Sequence, residues 1–162
     1  MSLFLSFSGN ITAVSPVPSG NGPSPCQAMY SMFTASGPVE FRADSGTYVL
    51  DAAALAPGDQ VTVFTPADAA VPLIYPPRYY ASAMAKLPEG TQAVLDRFDS
   101  SLTISDGSLR LNLSPDTRIM MPNGLVYFGN LAGRLMMAVY SASTRSIPAI
   151  ATPETLVVFC EN

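Results

Sequence analysis

Leu102-Thr103-Ile104-Ser105-Asp106-Gly107-Ser108-Leu109-Arg110-Leu111-Asn112-Leu113 decides the fold class of this chain. Asp-Gly can supply the two positive φ angles of a type I′ turn, whose hand matches the twist of two antiparallel strands. After it, Leu109, Leu111 and Leu113 alternate with Ser108, Arg110 and Asn112, which puts the leucines on one face of a strand. The stretch predicts a β-hairpin with arms at 102–105 and 108–113.

The same pattern recurs along the chain. Asn123-Gly124 marks a second turn between strands at 117–121 and 125–128, with Pro122 removing one ladder donor. Further strand segments are predicted at 3–7, 11–14, 27–34, 39–43, 47–52, 60–65, 134–142 and 155–160. Ser45-Gly46 and Pro57-Gly58-Asp59 supply turns between several of them. Short apolar segments broken by Gly, Pro, Asn and Asp at this spacing predict an all-β domain, a two-sheet β-sandwich or jelly-roll-like fold. One or two short helices are expected near 76–98, where Ala and Met are frequent and Val94, Leu95 and Phe98 recur at helical spacing after Thr91.

A length of 162 residues suits a single domain, and the organisation expected is an uncharged strand and Pro/Gly-rich arm over 1–25, then one β domain over 26–162. Pro16, Pro18, Pro23, Pro25 and Gly20-Asn21-Gly22 make residues 14–25 look too broken for regular structure. The first charged side chain is Glu40, so the whole opening stretch is apolar or neutral.

Charged residues make up only 12% of the chain and hydrophobic ones 48%, where a typical domain carries about 25% charge. The residues in deficit are those that normally cover a surface. A formal net charge of −4 provides no basic patch for phosphates, so neither nucleic acid nor an anionic membrane is expected as a partner. No basic residue precedes the short apolar run 3–5, and no stretch of eighteen apolar residues occurs, so neither a secretory signal nor a transmembrane segment is expected.

The catalytic vocabulary is thin. With no histidine, Ser-His-Asp and Cys-His mechanisms are excluded, and Cys26 and Cys160 alone cannot complete a zinc shell. They read as isolated core thiols, although a bridge between them would join the two ends of the domain. No phosphate-binding glycine loop is present. Lys86 follows Ser82 by four residues and could serve as a desolvated base, yet a solvated lysine is the plainer reading. Asp96, Asp99 and Asp106 offer hard oxygens to calcium but match no EF-hand pattern. No catalytic, cofactor-binding or metal-ligating residue is therefore assigned, and no cofactor is expected. Asn10-Ile11-Thr12 and Asn112-Leu113-Ser114 match the glycosylation acceptor pattern and read as accidental.

Three features point to surfaces instead. Tyr75-Pro76-Pro77-Arg78-Tyr79-Tyr80 could form a stacking platform for a sugar or partner, or a rigid loop. The doublets Met120-Met121 and Met136-Met137 suggest strands buried on both faces, by the fold or by another subunit. Leu3, Phe4, Leu5 and Phe7 present apolar area on both faces of one strand. The interface residues expected are Leu3, Phe4, Leu5, Phe7, Tyr75, Tyr79, Tyr80, Met120 and Met136.

The function expected is a non-enzymatic structural subunit of a large assembly: a capsid decoration or comparable virion protein. Its partners would be copies of itself, for example in a trimer, and a larger protein shell, with the virion as its location. This follows by association of small β-sandwiches and jelly rolls with virions. The alternative is a carbohydrate-binding or other ligand-binding β-sandwich module with 75–80 as its platform. A small enzyme built on carboxylates or Ser82/Lys86 ranks third.

Overall fold

The computed structural model describes residues 3–160, and the chain is nearly all β, sandwich-like in character, as its turn spacing dictates. Its contacts divide it into two compact units, Phe4–Leu87 and the chain from Pro88 onward, with Leu3 grouped in the second. The boundary anticipated at residue 25 falls inside a strand.

The first unit contains β1 (Phe4–Ser19), β2 (Gly22–Thr34), β3 (Gly37–Asp44), β4 (Tyr48–Val49), β5 (Gln60–Pro66), β6 (Arg78–Tyr80) and β7 (Ala83–Lys86). They form one seven-stranded sheet in the order β4-β7-β5-β1-β2-β3-β6. Only Ala81 and Ser82 separate β6 from β7, yet β6 lies parallel on β3 while β7 lies antiparallel on β5. Ala81 N donates to Arg42 O at 2.9 Å and Ser82 N to Phe64 O at 2.8 Å, so two residues carry the chain from one side of the sheet to the other. The sheet curls around Ile11, Met32, Val39, Phe41, Val61, Val63, Ala81 and Met84. Curling demands close approach, and Gly9 supplies it: a Cβ there would lie 2.1 Å from the Phe33 carbonyl oxygen.

Residues 14–25 are not an irregular loop. They continue β1 and β2 as a two-stranded ribbon, with Pro18 opposite Pro23. Beyond Gln27 on β2, and beyond Ile11 on β1, whose backbone still pairs with Gly58 and Asp59, no strand among the described residues flanks the ribbon, so prolines that lack an N–H are tolerated there as they are on edge strands. The separate segments predicted at 3–7 and 11–14 are one strand. Of the predicted strand 47–52 only β4 forms, and Leu50–Ala52 is a short 3-10 turn with positive φ at Asp51 and Ala52.

No helix forms in 76–98, where the chain makes β6, β7 and β8 (Gln92–Arg97). The Ala and Met content reflects crowding: Ala83, Met84 and Ala85 are buried on both faces of β7, where small or pliable side chains fit. Packing thus overrides helical propensity. Thr91 caps no helix; its N–H closes a turn on Pro88 O at 3.1 Å.

The second unit contains β8, β9 (Leu109–Leu111), β10 (Arg118–Met120), β11 (Leu135–Tyr140), β12 (Ala149–Ala151) and β13 (Thr155–Phe159). A four-stranded sheet, β10-β13-β11-β8, packs one face against the β12-β9 pair. Met136, Ala138, Tyr140, Leu156 and Val158 supply the sheet side of that core, and Leu109, Leu111 and Ala151 the other. The predicted alternation at 109–111 holds, with both leucines buried and Arg110 exposed.

The hairpin before β9 forms, but not through a type I′ turn. Ile104 N donates to Leu109 O at 3.0 Å across residues 105–108, and Gly107 N donates to Ile104 O at 2.9 Å. Gly107 has φ 76° and Asp106 has no positive φ. Asp106 instead accepts from Ser108 N and Ser108 Oγ, at 2.9 and 2.6 Å, and that pairing stabilises the longer loop. The Asn123-Gly124 turn also forms, with Gly124 N on Met121 O at 2.9 Å.

Candidate binding groove beside β6

The groove arises where β5 and β6 part. In the parallel β3-β6 ladder Glu40 N reaches Pro77 O and Ala81 N reaches Arg42 O, so residues 77, 79 and 81 turn their backbone groups toward β3. Arg78 and Tyr80 turn theirs the other way, toward β5. There Ser82 closes on Phe64, but Thr65 and Pro66 pair only with β1, through Leu5 and Phe4. Among the described residues no strand pairs with that edge of β6. The gap is a groove of about 210 Å³, walled by Thr65 and Pro66, by residues 69–72, and by Arg42 with Arg78–Tyr80.

Its polar wall is held firmly. Tyr80 Oη donates to Asp44 Oδ1 at 2.8 Å, and Gly46 N donates to the same oxygen at 2.8 Å. The Tyr80 and Gly46 hydrogen bonds hold the Asp44 carboxyl below its ordinary pKa, while burial and the bond to Asp44 push the Tyr80 phenol up. Arg42 lies over the Tyr80 ring at 4.8 Å and 3.5 Å from Asp44, and Arg78 pairs with Glu40 at 3.1 Å. Thr47 Oγ1 donates to Ala81 O at 2.7 Å, pinning the crossing that follows β6. Two of the chain's eight basic residues line this groove and none of its twelve acidic residues does. Thr65 is 1% exposed, and its Oγ1 has no hydrogen-bond partner.

The tyrosines of 75–80 do not share a face. Tyr79 packs into the first unit's core, 4.9 Å from Phe7 and 6.2 Å from Phe41, and Tyr80 lies under Arg42. Tyr75 is exposed and lies outside the groove. The stacking platform is therefore not assembled, because successive strand residues point to opposite sides. Phe7 is likewise a core side chain, Phe4 is half-buried, and Leu3 and Leu5 are exposed. Met136 is fully buried and Met120 nearly so, so neither offers a partner any surface; Met136 and Met137 are both covered within the chain itself.

The other candidates are scattered. Ser82 and Lys86 sit on an extended segment, where four residues span about 13 Å, and Lys86 pairs with Asp59 at 3.4 Å. Asp96 is buried beside Ser105, Asp99 accepts from Ser101 N and Thr103 N, and Asp106 serves its own loop. Cys26 and Cys160 are exposed free thiols, not core ones. In the second unit Ser141, Thr144, Thr152 and Glu154 edge a shallower hollow of about 450 Å³, with the Ser141 hydroxyl donating to Glu154.

Sequence reading missed Arg42, Thr65 and residues 69–72 as groove walls. Only the spacing of Pro66 and Pro72 hinted at a shaped loop, and nothing local places Arg42 beside Tyr80. It also missed the exposed apolar tips, of which Leu73, Phe128 and Ile147 are all but fully accessible. Among the described residues no helix is long and apolar enough to cross a membrane. Compared with known protein families and with curated proteins, the chain matches none.

Proposed function

We propose that this protein is a non-enzymatic structural subunit of a large assembly, acting through packing against copies of itself and a larger protein shell. The observation that carries this reading is the set of bulky apolar side chains at loop tips. Leu73 and Tyr75 in the first unit, and Leu125, Val126, Phe128 and Ile147 in the second, stand in solvent on a chain with only 12% charged residues. Single exposed apolar residues are ordinary, but a chain that leaves this many bulky ones in solvent has apolar area to bury in association. The uncharged β1-β2 ribbon adds a projecting arm of the kind that reaches a neighbour. The assembly class proposed is a virion, with this protein as a capsid decoration or similar component, by association of small β-sandwiches and jelly rolls with viral particles. Light scattering on the purified chain tests the reading: a stable trimer or larger species is expected, and a monomer at all concentrations would contradict it.

A second reading, a ligand-binding module for carbohydrate or another ligand, is favoured by the groove beside β6, whose walls hold two arginines and an open strand edge. Saturable binding there by the monomer, with no self-association, would favour it over the first.

A further inference from the structure

We propose that the groove between β5 and β6 accepts an extended peptide segment carrying a carboxylate, which adds a strand to the free edge of β6. The inference rests on the second reading, that the groove binds a ligand, and adds its occupant.

Three observations carry it. Backbone groups of Arg78 and Tyr80 face the groove with no strand opposite, which is the template used in strand addition. Across the gap, Pro66 has no N–H and its carbonyl already accepts from Ala69 N at 3.4 Å, so β5 cannot close the seam itself. The walls carry Arg42 and Arg78 but no carboxylate; Asp44 and Glu40, which pair with them, lie outside the lining, and each guanidinium keeps further N–H donors for a carboxylate. Thr65 Oγ1 is a further buried polar atom without a partner in the same wall.

A sugar fits less well, because the Tyr79 ring is packed into the core and the Tyr80 ring is covered by Arg42. An extended peptide needs no aromatic face. Its N–H and C=O groups pair with Tyr80 and Arg78, its small side chains lie against residues 69–72, and its carboxylate reaches Arg78, which is partly exposed.

The test selects short linear peptides from a random display library on the intact protein and titrates synthetic copies of the winners. Acidic sequences are expected, with Tyr80 N–H slowed in hydrogen exchange on binding. Arg78→Glu, a change at an exposed side chain, should weaken binding about tenfold. N-methylation of alternate peptide amides should abolish it. Glucuronate and acetate are titrated in parallel. If either acid binds at Arg78 and no peptide does, the strand-addition inference is overturned while the ligand-binding reading stands. If neither acids nor peptides bind, both fall. Peptides insensitive to Arg78→Glu and to N-methylation would overturn the inference alone.

Discussion

Tyr80 Oη donates to Asp44 Oδ1 at 2.8 Å, joining the last residue of β6 to the last residue of β3. The pair fixes one wall of the groove and gives the fold a defined response to pH. Asp44 titrates below its ordinary value because its charged form is hydrogen-bonded, so its contribution is present above the unfolded carboxyl pKa and is lost as pH falls through the folded one. Tyr80 is shifted up, so its contribution is present below the unfolded phenol pKa and is lost as pH rises through the folded one. Tyr80→Phe should lower the melting temperature at neutral pH, and the difference from wild type should shrink below about pH 4. A constant difference from neutral to acid pH would contradict the pairing.

Gly9 marks where β1 passes closest to β2. Gly9→Val places a Cβ against the Phe33 carbonyl, so it should cost about 1–3 kcal/mol or more. Thermal denaturation checks this, and an unchanged midpoint would contradict the close approach.

Gly107→Val should destabilise the second unit by about 1–3 kcal/mol, because Gly107 sits at φ 76° where a β-branched residue is strained. Wild-type stability in this variant would contradict the four-residue loop closed by Ile104 and Leu109.

Met136→Ala should cost about 2–5 kcal/mol, since its side chain is fully buried in the second unit's core. The folded fraction of the variant should keep the wild-type solution mass. A changed mass without lost stability would mean that Met136 faces a partner.

The parts of this fold that were legible in the sequence are those set by neighbours in the chain. Leu109 and Leu111 read correctly because alternation fixes a strand's faces, and Asn123-Gly124 because a glycine with positive φ follows from the dipeptide. The parts that misread depend on distant partners. Ala83 and Ala85 look helical until β5 and β4 crowd them on either side. Pro18 and Pro23 look like loop breakers until they face each other in a ribbon that needs no outer hydrogen bonds. The groove was half visible: Tyr79, Tyr80 and Arg78 were singled out, but the parallel β3-β6 pairing that brings Arg42 across, and turns Tyr79 inward against Phe7, leaves no local signature.

The solution mass of the intact chain, by light scattering across a concentration series, tests the assembly reading most directly, and a ribbon deletion locates the contact. β1 lies between β5 and β2 and carries Phe7 and Ile11 into the core, so removing residues 1–25 would unfold the first unit. Replacing residues 17–27 with Asn-Gly instead shortens only the ribbon and costs a single β2-β3 pair, Gln27 with Asp44. A trimer or larger species is expected for the wild type, and a smaller one for the shortened variant at near-wild-type melting temperature. A wild type that stays monomeric throughout the series would contradict the assembly reading.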